Sequence, residues 1–129
     1  MKKGFTLLEM IIVIIVIGLL ATLAVPRYFK LTERARSVEG VSLLGLLRAS
    51  QIRYKAEQGV YTTDATKLDL EYTSPKFFSV ESPTIGTEVA RVRRGDLQKS
   101  YGNYTLTINE EGYITCTGGD AGACAAIGR

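Results

Sequence analysis

Glu9 is the one formal charge in an otherwise apolar stretch that runs from Phe5 to Val25. The stretch is long enough to cross a bilayer, because about 20 helical residues span roughly 30 Å. An ionisable side chain at that depth costs roughly 2.5 to 3.5 kcal/mol on lenient insertion scales, so it calls for a partner. Other candidate chemistry is sparse. The chain has no histidine, which removes the commonest general base and the commonest metal ligand together. Without it no supported nucleophile and base pair can be assembled, and an enzyme is not expected. The two cysteines, Cys116 and Cys124, lie close together behind an export-like start, a context that favours a disulfide in an oxidising compartment. A CxxC-type redox or zinc site would need different spacing or more ligands.

Three weaker constellations complete the inventory. Arg91, Arg93 and Arg94 with Lys99 form a basic patch that could meet DNA phosphates. A solvated strand face is the simpler reading, because no dense aromatic interleaving accompanies the charges. Asp64, Asp69, Glu71 and Asp120 follow no calcium-loop spacing, so neither a metal nor any cofactor is expected. Asn103-Tyr104-Thr105 fits a glycosylation sequon, a frequent chance match.

The elements that position these residues must come from a short chain. Its 129 residues allow one domain, and about a hundred remain to build it once the apolar stretch is set aside. A content of 46% hydrophobic residues with seven Tyr and no low-complexity tract argues for a folded chain. The formal charge of +3 includes Lys2 and Lys3; without them 14 basic residues face 13 acidic ones, so bulk charge predicts no strong nucleic-acid affinity. By the positive-inside rule Lys2 and Lys3 stay cytoplasmic and the C-terminal portion is sent outward. A cleaved secretory signal, with Thr22-Leu23-Ala24 as a loose cleavage site, and a plain membrane anchor both fit this layout. Neither accounts for Glu9.

The string Gly4-Phe5-Thr6-Leu7-Leu8-Glu9, preceded by two lysines and followed by an apolar run to Pro26, resembles the prepilin signature of type IV pilins and type II secretion pseudopilins. Over residues 1–30 the resemblance is strong; beyond them only the layout and short strings match. It implies that residues 1–4 are a leader, that a prepilin peptidase cuts between Gly4 and Phe5 on the cytoplasmic side, and that the new Phe5 amine is methylated. It also implies assembly through Phe5 and Glu9, the carboxylate neutralising the amine of a neighbouring subunit. The physics agrees, since removing one of two buried opposite charges strands the other at about 3 to 5 kcal/mol. The function implied is a structural subunit of a type IV pilus filament, a helical homo-oligomer handled by the pilus assembly machinery. Its precursor would sit in the bacterial inner membrane with its C-terminal domain in the periplasm, and the assembled pilus on the cell surface. A type II secretion pseudopilin and a minor DNA-binding competence pilin remain as alternatives.

Residues 5–26 thus form the hydrophobic membrane and filament-core part of a helix, and residues 27–59 its amphipathic continuation. Gly18 and Pro26 soften the helix between them, which resembles a segment that related pilins extend in filaments; a simple kink is the plainer reading. Leu31, Ala35, Val38, Ser42, Gly45, Ala49, Ile52 and Ala56 recur at intervals of three and four, predicting the face that meets the domain, with Leu43, Leu44, Leu46 and Leu47 widening it. Gly59 is expected to end the helix. Residues 60–129 should then hold a connecting αβ-loop with a short helix from Thr63 or Asp64 toward Leu70, an antiparallel sheet and a C-terminal disulfide loop. Period-two alternation predicts strands at residues 77–81, 88–93, 104–109 and 113–117. Tyr104, Leu106 and Ile108 should face the helix and the threonines should face out. The fold class is α+β, one long helix packed on about four strands.

Overall fold

The computed structural model describes residues 4–73, 75–81, 86–95, 102–119 and 123–128. Its first element, α1, is a 52-residue helix over Leu7–Gln58, about 78 Å long at 1.5 Å per residue. Thr6 caps its start by accepting a hydrogen bond from the Glu9 amide at 3.2 Å. Gly59 ends it in the left-handed region, at φ 81°, where its amide bonds the Lys55 carbonyl at 2.8 Å. Pro26 lies inside the helix, which continues through it as one element. A single 3-10 turn, Ala65–Lys67, follows, with the Asp64 carboxylate on the Thr66 amide. The short helix expected toward Leu70 is therefore no more than one capped turn.

Four strands, β1 (Phe78–Glu81), β2 (Glu88–Arg94), β3 (Tyr104–Asn109) and β4 (Ile114–Gly118), form an antiparallel sheet in sequence order. The expected strands are there to within a residue at each end. A register shift between Glu88 and Ala90 interrupts the β2 and β3 pairing, and Val89 and Ala90 are both buried. A bulge turns consecutive side chains the same way, which strict alternation does not anticipate. A short helix, α2 (Ala123–Ile127), follows β4 and packs on α1. No sequence signal announced it in a stretch read as a plain loop. The turn at Ser82-Pro83, Lys2 and Lys3, Lys99 and Asp120 lie outside the described residues.

Tyr104, Leu106 and Ile108 do cover the helix, joining Leu43, Leu44, Leu47, Phe78 and Val92 in one core. Thr107 departs from the expected pattern. It is buried, and its hydroxyl shares a 2.6 Å hydrogen bond with that of Thr115 on the neighbouring strand.

The helix face is where expectation and structure part. The stripe of Leu31, Ala35, Val38, Ser42, Gly45, Ala49, Ile52 and Ala56 is exposed throughout. The domain instead buries Glu33, Ser37, Gly40, Leu43, Leu44, Leu47, Ser50 and Gln51. Displacement by two residues is a rotation of about 200°, the opposite side of the helix. Both sides carry small and apolar residues, and polar groups made the true face hard to see, because each finds a partner across the interface. The Gln51 side chain takes both the amide and the carbonyl of Thr62. Glu39 accepts from the Lys76 and Phe77 amides at 2.8 and 2.7 Å. Arg48 donates to the Glu110 carbonyl at the β3–β4 turn, and Lys55 pairs with the Glu110 carboxylate at 2.8 Å. Burying a polar group is tolerable when it is bonded in this way.

Candidate functional site

The sequence-predicted processing and assembly residues all lie on the first turns of α1 and before it. Gly4 and Phe5 precede the helix, and Phe5 is 76% exposed. Glu9 occupies the first helical turn, at the end where aligned peptide dipoles favour a negative charge. In this chain Phe5 still carries its peptide bond to Gly4; a free amine there would stand one helical turn from Glu9. Thr6-Leu7-Leu8-Glu9 has the spacing of a capping box. That signal, legible in the sequence, makes Thr6 the residue that fixes where α1 begins.

Beyond Glu9 the helix is apolar and bare. It is long and apolar enough to cross a membrane, and no part of that span is covered by the rest of the chain. Gly18 sits in open space, with nothing within 4 Å of where a side chain would begin.

Cys116 at β4 and Cys124 in α2 are joined as a disulfide, with Cα atoms 5.6 Å apart. Closing so short a loop contributes about 2 to 3 kcal/mol on the chain-entropy estimate. It fastens α2 to the sheet edge, while Ala123 packs into the core.

The three arginines of β2 do not share a face. Arg91 pairs with Glu88 at 2.6 Å, and the exposed Arg93 faces Glu81 at 3.6 Å. Arg94 turns inward, leaving 2% of its surface exposed. Its guanidinium bonds Glu33 of α1 at 2.8 Å and also donates to the Phe77 and Gly95 carbonyls. The Tyr104 hydroxyl donates to the same Glu33 oxygen at 3.0 Å, and Arg36 lies 3.5 Å from the other. Burial pushes the Glu33 carboxyl up, but the bonds from Arg94 and Tyr104 and the charges of Arg94 and Arg36 outweigh it and hold the group below the usual range. Burial first, then the Glu33 charge, pushes the Tyr104 phenol up. Glu33 carries no signal in the sequence, where it is one charged residue among many on α1. Of the acidic residues, Asp64 caps its turn and Asp69 accepts from Ser50 and Arg53. Among the described residues no group of three potential ligands gathers around a metal position.

What this arrangement can do is structural. A rigid domain is bolted by polar clamps to one half of a helix whose other half has no cover of its own.

Comparison with known proteins bears on that bare half. The family model for the prokaryotic N-terminal methylation motif matches residues 1–25. The chain is 38% identical over 63 residues to the fimbrial protein EcpC of Eikenella corrodens, covering 49% of this chain and 41% of that protein. It is 34% identical over 74 residues to the type IV major pilin protein PilE of Neisseria gonorrhoeae, covering 57% and 44%. Against the type IV major fimbrial protein FimA of Dichelobacter nodosus it is 49% identical over 43 residues, covering 33% and 27%. The chain thus spans less than half the length of each of these relatives. No solved structure matches it. The chain carries the N-terminal methylation motif and, over its N-terminal part, is similar to type IV pilins and fimbrial proteins.

Proposed function

We propose that this chain is a structural subunit of a type IV pilus. Its precursor lies in the inner membrane with the sheet domain in the periplasm. A prepilin peptidase removes residues 1–4, the Phe5 amine is methylated, and copies of the chain assemble into a filament with residues 5–26 at its core. The observation that carries this reading is the uncovered apolar half of α1, headed by the methylation motif. So much bare apolar surface needs either lipid or other copies of itself. The exposed stripe from Leu31 to Ala56 extends that need along the outer side of the helix.

Glu9 acts in this scheme as the partner of the Phe5 amine of a neighbouring subunit. Two charges that are each unfavourable in an apolar core offset one another when paired. Replacing Glu9 by Ala is expected to leave membrane insertion and cleavage intact and to abolish most filament yield. Mass spectrometry of the mature chain is expected to find methylated Phe5 as its first residue. Normal filament yield would defeat the pairing, and a mature chain beginning at Val25 would return the segment to a secretory signal. With Arg94 turned into the core and Arg91 and Arg93 each facing an acid, a filament role is better supported than DNA uptake through this patch.

A further inference from the structure

Immediately beyond the apolar span, Arg27, Lys30 and Arg34 follow one another at intervals of three and four, which places them on one side of α1. They line an open cleft of about 370 Å³ together with Leu31 and with Ala125 of α2. Gly128 lies against Arg34, where a side chain would begin only 2.7 Å from a guanidinium nitrogen. Among the described residues none of the three cations has an acidic partner. The nearest acid in sequence, Glu33, is buried against the sheet and engaged by Arg94 and Arg36.

We propose that this cleft is a binding site for the headgroup of an anionic phospholipid. The proposal rests on the reading that residues 5–25 span a bilayer. That span is about 30 Å at 1.5 Å per residue, so Arg27 and Lys30 emerge within roughly 3 to 8 Å of the hydrocarbon edge. That is the depth of the headgroup layer. Arg34 stands one turn higher, but helical side chains lean toward the helix N-terminus, which directs it back to the membrane. Tyr28 and Phe29, 65% and 44% exposed, lie at the same level as aromatic residues of an interfacial belt do. Two guanidinium groups and an ammonium suit a phosphodiester oxygen pair, and Leu31 offers an apolar contact for the glycerol above the acyl chains. A zwitterionic headgroup would bring its own cation into an already positive cleft. The site therefore selects phosphatidylglycerol over phosphatidylcholine and holds the domain on the membrane until the subunit is extracted.

The test uses the full chain in vesicles of equal phosphatidylglycerol and phosphatidylcholine, with retained lipids counted by native mass spectrometry. At about fivefold per basic side chain near the surface, partly lost to screening, retention of phosphatidylglycerol is expected to exceed that of phosphatidylcholine by roughly tenfold or more. Replacing Arg27, Lys30 and Arg34 together by Gln should abolish the preference, and Arg34→Gln alone should reduce it. Arg91→Gln with Arg93→Gln should leave it intact. All three cleft side chains are exposed, so these variants retain the fold. Equal retention of the two lipids by a chain that floats with the vesicles overturns the site and leaves the membrane reading standing. A preference that survives the triple replacement also overturns it, as does displacement of the lipid by millimolar inorganic phosphate. A chain that does not float with the vesicles overturns both.

Discussion

Glu33 on α1 and Arg94 on β2, 61 residues apart in the chain, meet at 2.8 Å with each only 2% exposed. The pair is the charged centre of the helix and sheet interface, and Tyr104 completes it from β3. Replacing Glu33 by Ala would leave the Arg94 guanidinium buried without its counter-charge. Denaturant unfolding of the detergent-solubilised chain should then show a loss of about 3 to 5 kcal/mol. Glu33→Leu with Arg94→Met should lose much less, because two apolar side chains strand no charge. Equal losses in the single and double variants would mean that the pair acts only through packing.

The same cluster sets a pH window. Glu33 has a folded-state pKa below its unfolded value of about 4.3, so its contribution is present above that value and is lost as pH falls through the folded pKa. Tyr104 is shifted the other way. Its contribution is full below about pH 10 and is lost as pH rises through its raised folded pKa. Asp64, Asp69 and Glu110 are also lowered, but they are exposed and screened, so the acid limb should belong mainly to Glu33. Unfolding midpoints measured from pH 3 to 11 should fall at both ends. Glu33→Gln should flatten the acid limb and Tyr104→Phe the alkaline one.

Much of the architecture was legible in the sequence because its signals are local. Gly59 stops the helix, period-two alternation marks four strands, and the apolar run to Pro26 declares a span. The helix face was not legible. Leu31, Val38 and Ile52 look like core residues and are exposed, whereas Glu33, Ser50 and Gln51 look like surface and are buried. Only tertiary partners, Arg94 for Glu33, Asp69 for Ser50 and Thr62 for Gln51, make that burial tolerable. Partners 11 to 61 residues away leave no trace in a periodic pattern. The three arginines of β2 divide for the same reason, since Arg94 belongs to the core while Arg93 stays exposed. At the candidate site the N-terminal methylation motif could be read from its residues, and its capping box was there to be read.

Gly40 brings the backbone of α1 close against the sheet. A side chain beginning there would lie 2.8 to 2.9 Å from three ring atoms of Phe78, which is itself buried and packed edge-to-face on Tyr104 with centroids 5.8 Å apart. A buried ring can yield only by shifting its packed neighbours. Alanine ordinarily favours a helix over glycine by about 0.5 to 1 kcal/mol, but overpacking costs about 1 to 3 kcal/mol. Gly40→Ala should therefore be net destabilising by thermal unfolding, and adding Phe78→Leu should recover part of the loss. A stabilised single variant would show that the ring can yield.

Gly18 is the opposite case, because nothing lies within 4 Å of its missing side chain. In the isolated chain Gly18→Ala should therefore only strengthen the helix, by about 0.5 to 1 kcal/mol, visible as increased helical circular dichroism in detergent. Assembly separates two possibilities. If residues 18–26 must give up helical order as copies pack together, that added stability opposes the change in every subunit, and filament yield should fall although the subunit is more stable. Pro26 would then supply the other end of the opened segment, since it lacks the amide that a continuous helix would bond. If α1 instead enters the fibre as the unbroken helix seen here, Gly18→Ala should leave the yield unchanged or raise it. Measuring subunit helicity and filament yield on the same variant distinguishes the two, because only an obligatory extension moves them in opposite directions.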